Sequence, residues 1–335
     1  MVKNWTTSAL AKLFRIKDFS KAPIIYAEEK GEIPKAERVY RGNIKVRKWQ
    51  SDHLPQIGAR FPFLKKPNSQ HVICVYTPKG SVIKTSFALN LSRMLAINNI
   101  QVLIIGLDFQ QSITRYAFPI KKVESLDQVG NTKDLGLFHY LYENASLSEI
   151  IRNTDLPTLD IIPETHELNF MTKKMRVENR REYIFKERVL HNLKKYDVII
   201  FDCNPGWSDL IENALVSSSS LVMPIACEIE CYEALQENLN EIDNFKNAMK
   251  LKWNQSFMVP TLLENNIVSQ NIYASYLNNF KKDIFPIPIR RSVLGQEARL
   301  ASISAIEHNP TSNLSEDYYN LVKKFWNSLN NFKNV

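Results

Sequence analysis

The stretch "YTPKGSVIKTSFALNLSRML", Tyr76–Leu95, follows the apolar run Val72–Val75 and continues into a segment with helical spacing. A strand that turns directly into a helix points successive backbone N–H groups and the positive end of the helix dipole at one place, which suits a polyphosphate. Lys84 would reach the β- and γ-phosphates, and the Thr85 hydroxyl would bind Mg²⁺. The strict pattern G-x-x-x-x-G-K-[ST] is not met, because neither of its glycine positions holds glycine. An ordinary strand-to-helix turn therefore stays open at this point.

The chain from His71 onward alternates apolar, strand-like runs with helical patterns, which is typical of an α/β fold with a doubly wound, mostly parallel sheet. The predicted strands are Val72–Tyr76, Val102–Ile105, Val198–Phe201, Ser219–Ile225, Phe257–Leu262 and Ile284–Ile289. Ligands of such sheets bind at the carboxyl ends of the strands. Asp108 and Asp202 both lie at such ends, so we expect them near the loop that contains Lys84.

Composition limits the class of protein. The 335 residues, 44% of them apolar, suffice for one large domain and a smaller module. No run of eighteen apolar residues occurs, and the N-terminus lacks the pattern of a signal peptide, so we expect a cytoplasmic protein without a membrane partner. Four cysteines do not predict a disulfide framework in a chain of this size. For Cys227 and Cys231, a metal site is the alternative to ordinary packing.

The charge is concentrated at the N-terminus. Residues 1–70 contain 15 Lys and Arg against 6 Asp and Glu, a net charge of +9, whereas residues 71–335 carry about −1. This asymmetry indicates an N-terminal module that meets a polyanion, with a basic solvated surface as the alternative. We predict a module over residues 1–60, a linker over 61–70 and the α/β domain over 71–335.

The N-terminal module has the pattern helix, turn, helix, basic hairpin. "TTSALAKLFRI" has helical spacing behind the possible caps Thr6 and Thr7, and "KAPIIYAEEKGEIPK" is a second short helix that Gly31 would end. "AERVYRGNIKVRKW" fits a hairpin with a turn at 41–43 and basic edges. This order predicts a winged helix-turn-helix.

The text "IIYAEEKGEIP" resembles the recognition helix of MerR-like N-terminal domains. The resemblance implies a DNA-binding surface in which Lys21, Tyr26 and Lys30 face a major groove. It further implies that the hairpin holds phosphates through Arg38, Arg41, Lys45 and Arg47. The acidic pair Glu28 and Glu29 would have to point away from the DNA.

The segment "PKGSVIKTS" resembles the deviant P-loop of the ParA/MinD family of ATPases, K-G-G-x-x-K-[ST]. The resemblance places Lys79 on the signature lysine, Lys84 on the loop lysine and Thr85 on the magnesium-binding position. Ser81 replaces the second glycine of the family pattern. The nucleotide-binding residues implied by the match are Lys79, Gly80, Ser81, Val82, Ile83, Lys84, Thr85 and Ser86.

Further matches follow in the family's order. "VLIIGLDFQQSIT" is similar to the segment whose aspartate orients the attacking water, here Asp108, although Phe109 and Gln111 replace proline and glycine. "YDVIIFDCNPG" is similar to the segment whose aspartate, here Asp202, holds magnesium through water. "IPIRRSVLGQEA" resembles the region that contacts adenine and DNA, and the residues concerned are Pro288, Arg290 and Arg291.

The resemblance implies a partition ATPase with ATP and Mg²⁺ as cofactors. Lys79 would reach the nucleotide of a second subunit, so that ATP holds a homodimer together and the dimer binds non-specific nucleoid DNA. A ParB-like centromere-binding partner would stimulate slow hydrolysis, and the N-terminal module would also repress the protein's own operon. The alternative is an adaptor or repressor that no longer hydrolyses ATP, indicated by Ser81, Phe109 and Gln111. A MinD-like membrane-associated regulator is a third, weaker hypothesis.

Overall fold

The computed structural model of the chain describes residues 4–118 and 134–330. The strands are β1 Trp5–Thr6, β2 Glu37–Arg41, β3 Ile44–Trp49, β4 His71–Val75, β5 Val102–Leu107, β6 Arg152–Asn153, β7 Leu159–Ile162, β8 Val198–Cys203, β9 Ser220–Ala226 and β10 Gln255–Thr261. The α-helices are α1 Thr7–Leu13, α2 Ala22–Glu29, α3 Leu54–Arg60, α4 Lys84–Ala96, α5 Ser112–Ala117, α6 Leu137–Tyr142, α7 Leu147–Ile150, α8 Leu168–Met175, α9 Asp209–Ser217, α10 Ile229–Ala248, α11 Ile267–Asn279, α12 Val293–Leu300, α13 Ala305–His308 and α14 Asn313–Leu329.

The large sheet has the strand order β10-β9-β4-β8-β5-β7-β6, and all neighbours are parallel except the short edge strand β6. A doubly wound, mostly parallel sheet is therefore confirmed. The predicted strand Ile284–Ile289 is wrong, because only isolated bridges from Ile284 and Arg290 reach the sheet there. Pro286 and Pro288 have no backbone N–H group to donate, so this segment cannot form a regular ladder.

Side chains of the central strands alternate between two hydrophobic layers. Ile73 and Val75 face the layer that contains α4, α14 and the N-terminal module, whereas Cys74 and Tyr76 face the layer under α8–α11. Successive side chains of a strand point to opposite faces, and both faces here are covered. Within the described ranges, no helix has both the length and the apolar character needed to cross a bilayer.

The four cysteines are all reduced and buried. Burial raises the pKa of Cys227 to about 12 and also raises the pKa of Cys231. Across residues 4–118 and 134–330, no group of three or more His, Cys, Asp or Glu side chains is arranged to hold a metal ion. Cys227 and Cys231 belong to the hydrophobic layer under α10.

The predicted helices and hairpin of the N-terminal module are present as α1, α2 and the β2–β3 pair. Thr6 accepts a hydrogen bond from the Ala9 N–H group at 3.2 Å and so caps α1. Strand β1 pairs with β3 and completes a three-stranded sheet that the sequence patterns did not predict. A strand of two residues is too short to show an alternating pattern.

The N-terminal module shares its hydrophobic core with the large domain. A Cβ atom on Gly58 of α3 would lie 1.7 Å from the Ile97 carbonyl oxygen, so α3 touches the end of α4 backbone to backbone. The segment 61–70 is non-helical but fixed, since Asn98 Oδ1 accepts hydrogen bonds from the N–H groups of Phe63 and Leu64 at 2.8 and 3.1 Å. Trp326 of α14 donates to the carbonyl oxygen of Lys65 at 2.8 Å.

A buried ionic network holds α4 against the elements around it. The Arg93 side chain has no exposed surface and binds Asp155 through two nitrogens, at 2.7 and 3.0 Å. It binds Glu307 of α13, also fully buried, through two more bonds at 2.7 and 2.8 Å. Ser51 of the N-terminal module lies beside Asp155 and helps to lower the pKa of that carboxyl group. The network therefore joins α4, α13 and the module.

We expect Arg93→Met to lower the free energy of unfolding by about 3–5 kcal/mol, because the substitution removes the cation that balances the buried Glu307 carboxylate. Arg60→Met is the matched control, since Arg60 pairs with Glu32 at the surface and such pairs contribute about 0–1 kcal/mol. Urea denaturation of both variants is the measurement. Equal losses in the two variants would contradict a structural role for the network.

Candidate nucleotide site

Strand order brings the predicted site residues to one edge of the sheet. Strand β8 lies between β4 and β5, so the loop after β4, Asp202 at the end of β8 and Asp108 after β5 meet at the carboxyl edge. A cavity of about 590 Å³ opens there, and its walls include Lys84, Thr85 and Asp108. The edge is also where the chain crosses from β4 to β5 over β8, the position at which such sheets bind ligands.

The loop between β4 and α4 takes its shape from two residues that are not glycine. Ser81 and Ile83 both have φ +60°, the left-handed region that an L side chain disfavours. Gly80, the one glycine of the loop, has no positive φ. Ser81 thus adopts the backbone angle that glycine would allow without cost, and the branched Ile83 bears the same strain.

Lys84 closes the loop from within. Its Nζ donates to the carbonyl oxygens of Thr77 at 3.0 Å and Lys79 at 2.7 Å, and the residue is buried. Burial lowers the pKa of Lys84 to about 8, although the carboxylates of Asp202 and Asp108 oppose that shift. The ammonium group is therefore poorly solvated, and the two carbonyl oxygens accept only two of its three N–H groups. An anion such as phosphate would bind this cation more strongly than the neutral carbonyl oxygens do.

Asp202 is fully buried, and neither carboxylate oxygen has a well-formed hydrogen bond from any residue that the structure describes. Burial raises the pKa of Asp202 well above its usual range, and Glu164 and Asp108 add to the rise. The Thr85 hydroxyl and the Lys84 ammonium oppose it. Two unpartnered oxygens beside a hydroxyl fit a hydrated Mg²⁺, because that ion prefers oxygen ligands and favours the ionised carboxylate.

Asp108 is half-buried at the start of the turn into α5. Its Oδ1 accepts from the Gln110 N–H group at 3.0 Å, and its carbonyl oxygen accepts from Gln111 at 2.9 Å. Gln111 has φ +55°, so a residue at the family's glycine position is again left-handed. Asp108 lines the cavity, where its carboxylate can accept a hydrogen bond from a water molecule.

The region after β10 forms the opposite wall of the cavity. Arg290 and Arg291 line it, whereas Pro288 does not. Arg290 is held by Asp317 of α14, with Nε 2.8 Å from Oδ2, and Arg291 is held by Glu228 and Glu264, each at 2.5 Å. Both arginines are about half-exposed and already paired, so their contact with DNA stays a prediction.

Tyr116 and Arg299 are among the wall residues that the sequence patterns missed. Tyr116 of α5 lies under the Arg299 guanidinium of α12 at 5.2 Å from the ring centroid, and the Tyr116 hydroxyl accepts from Arg299 at 3.3 Å. Each lies just outside a matched segment, since those segments end at Thr114 and Ala298. They meet because α5 and α12 pack on the same side of the sheet, which local sequence does not encode. Their pairing joins the Asp108 loop to the far wall.

A second candidate surface lies on the N-terminal module. Lys21, Tyr26 and Lys30 are exposed on or beside α2, and Lys30 stacks over the Tyr26 ring at 5.6 Å. Arg41 and Lys45 are exposed on the hairpin, with Lys45 over the Tyr40 ring at 5.2 Å. Basic groups interleaved with aromatic rings suit nucleic acid.

Glu28, the first residue of the acidic pair on α2, points into the module. It is buried under the hairpin and accepts from Arg38 at 3.1 Å and from Arg47 at 2.6 Å. Burial alone would raise the pKa of Glu28. The hydrogen bonds from Ala36 and Arg47 and the charges of Arg38 and Arg47 outweigh this effect, so the pKa lies below its usual value. Glu28 therefore balances much of the charge of Arg38 and Arg47 inside the module. Glu29 remains exposed, 3.5 Å from Arg47.

Known proteins share this architecture. The chromosome partitioning protein ParA of Myxococcus xanthus is 25% identical over 223 residues, 66% of this chain and 76% of that protein. A putative plasmid partition protein of Borrelia burgdorferi, solved with AMPPNP, superposes with a TM-score of 0.58 at 22% identity over 79% of this chain and 98% of its own.

Cobyrinic acid a,c-diamide synthase of Mycobacterium smegmatis, solved with ADP and magnesium, superposes with a TM-score of 0.61 at 20% identity over 77% of this chain and 94% of its own. These two superpositions show a shared fold. The model of the AAA_31 family, an AAA domain, matches residues 70–257. Since that match spans more than half of the sequence, the chain belongs to the AAA_31 family.

Proposed function

We propose that the chain is a partition ATPase of the ParA type that binds ATP with Mg²⁺ and hydrolyses it slowly. One observation carries the proposal: a desolvated loop lysine, Lys84, a helix-start hydroxyl, Thr85, and an unpartnered buried carboxylate, Asp202, converge beside Asp108. These are the groups that phosphoryl transfer to water requires. The partition assignment rests on the similarity to the ParA protein of Myxococcus xanthus.

Each residue has a distinct role in this proposal. Lys84 exchanges the carbonyl oxygens of Thr77 and Lys79 for phosphate oxygens, and α4 contributes the N–H groups of its first turn. Thr85 and Asp202 would hold the magnesium ion. Magnesium, when bound, neutralises charge on the phosphate oxygens. Asp108 accepts a hydrogen bond from the attacking water and orients it.

The proposal includes an ATP-dependent homodimer that binds nucleoid DNA. Lys79 is half-buried at the rim of the loop, from which its ammonium group would reach a second subunit's nucleotide. A dimer presents two basic modules at once and gains affinity by avidity. A ParB-like partner would stimulate hydrolysis and release the DNA. The N-terminal module would be a winged helix-turn-helix that also represses the operon.

A second candidate function is a DNA-binding adaptor that binds nucleotide without hydrolysing it. Three residues that are not glycine, Ser81, Ile83 and Gln111, are left-handed in the two loops that carry the site. Each conformation costs about 1–3 kcal/mol, and that strain favours a loop displaced from its productive geometry. The two candidate functions share the fold and differ in whether phosphate is released.

We expect Lys84→Ala to abolish phosphate release and to weaken ATP binding more than tenfold, because the variant loses the one cation buried in the loop. Lys252→Ala, on an exposed lysine after α10, is the control and should match the wild type. Phosphate release and fluorescent-ATP titration with Mg²⁺ are the measurements. Wild-type binding without release indicates the adaptor, and no wild-type binding refutes both candidate functions.

Ser81→Gly should raise the free energy of unfolding by about 1 kcal/mol and should not slow hydrolysis, since glycine adopts a positive φ without steric cost. Ser275→Gly, in the interior of α11, should instead destabilise the protein by about 0.5 kcal/mol. Thermal and urea denaturation measure both. A destabilised Ser81→Gly protein would mean that the Ser81 backbone is not strained.

We expect each of the substitutions Arg41→Ala and Lys45→Ala to weaken the binding of DNA of any sequence. Each should also reduce the slope of log affinity against log salt concentration by about 1, because one phosphate contact is lost. Lys252→Ala should leave that slope unchanged. Fluorescence anisotropy with duplex DNA, over a salt series with and without ATP, is the measurement. Unchanged slopes in both hairpin variants would remove the hairpin from the DNA surface.

A further inference from the structure

The carboxyl group of Glu164 lies beside the nucleotide site without belonging to the set of residues that resembles the family's motifs. It follows β7 by two residues and is almost fully buried. Burial raises the pKa of Glu164 to about 7, against the opposing hydrogen bonds of Thr114 and Ile113. A carboxyl group in such a place is costly, so its contacts must offset the desolvation.

Those contacts all go to the first turn of α5. Glu164 Oε2 accepts from the Thr114 hydroxyl at 2.5 Å and from the Thr114 N–H group at 2.9 Å, and Oε1 accepts from the Ile113 N–H group at 3.3 Å. The Glu164 N–H group donates back to the Thr114 hydroxyl oxygen at 3.0 Å. Four bonds between two residues of α5 and one residue after β7 fix the helix start to the sheet.

Strand β5 is shaped to admit this carboxyl group. A Cβ atom on Gly106 would lie 2.5 Å from both Cγ and Cδ of Glu164, and 2.7 Å from Cγ2 of Ile113. Any side chain at position 106 would therefore push Glu164 or α5 away. Gly106 is a close-approach glycine whose absent side chain makes room for Glu164 above β5.

The segment between these two contacts carries Asp108. Gly106 precedes Asp108 by two residues, and α5 begins four residues after it, so Glu164 restrains the Asp108 turn from both ends. We propose that Glu164 is a positioning residue for hydrolysis, which sets Asp108 by clamping α5 to the sheet. This inference rests on the proposed ATPase function. Asp108 and Asp202 are the other charged groups whose fields reach Glu164.

We expect the clamp to affect the chemical step, through Asp108, more than nucleotide binding, to which α5 contributes only the wall residues Ser112 and Tyr116. Glu164 is not among the residues that line the cavity, whereas Asp108 is. A displacement of about 1 Å at a group that orients a reactant can lower the rate about a hundredfold. Loss of the clamp should therefore lower kcat and leave KM for ATP nearly unchanged.

The experiment compares Glu164→Ala, Glu164→Gln and Gly106→Ala in steady-state ATP hydrolysis by the full chain, with nucleotide binding and urea denaturation measured on the same samples. We expect Glu164→Ala to lower kcat about 10- to 100-fold with KM within about threefold of the wild type. Glu164→Gln keeps an acceptor oxygen for the backbone N–H groups and should recover part of the rate. Glu237→Gln, an exposed carboxylate on α10, is the control.

Gly106→Ala tests the clamp without removing a polar group. It should lower kcat as Glu164→Ala does. A protein that carries both Gly106→Ala and Glu164→Ala should have a kcat no lower than either single variant, because each substitution breaks the same contact. Unchanged kcat, a parallel change in kcat and KM, or additive losses would each overturn the proposal. A wild-type protein that does not hydrolyse ATP would refute the proposed function as well, and the wild-type arm alone reveals that case.

Discussion

Helix α4 is the constraint on which the rest of the structure depends. Every residue in it except Thr85 is buried, so the helix contacts protein along its whole length and has no exposed face. Its first residue closes the nucleotide loop, its last turn holds Arg93, and its C-terminal end meets α3 and the segment 61–70. Because close-packed interiors transmit displacement, a shift at one end of α4 must be accommodated at the other.

The strain in the loop has a related origin. A helix fixed on all sides dictates where its N-terminus lies, and the chain between β4 and α4 must reach that point within a short turn. Ser81 and Ile83 adopt left-handed angles to do so, while Gly80 does not use its freedom. Counting glycines therefore misjudges this loop, because the number of glycines says nothing about which positions need a positive φ.

The sequence predicted the α/β fold, the parallel strands and the residues that meet at the carboxyl edge, because these depend on local periodicity and on strand ends. It failed at Ile284–Ile289, where an apolar run suggested a strand that two prolines prevent. It also missed β1, the Tyr116–Arg299 contact and the surroundings of Glu164. Each of these depends on partners far apart in sequence, which periodicity does not report.

The fixed segment 61–70 has a consequence for the proposed binding of DNA. Asn98 and Trp326 hold this segment to the large domain, and the module behind it shares the domain's core, so the module has one orientation relative to the nucleotide site. In a twofold dimer, two rigidly mounted modules have a single separation. The spacing of operator half-sites, counted in turns of the DNA helix, would then be set by the dimer geometry.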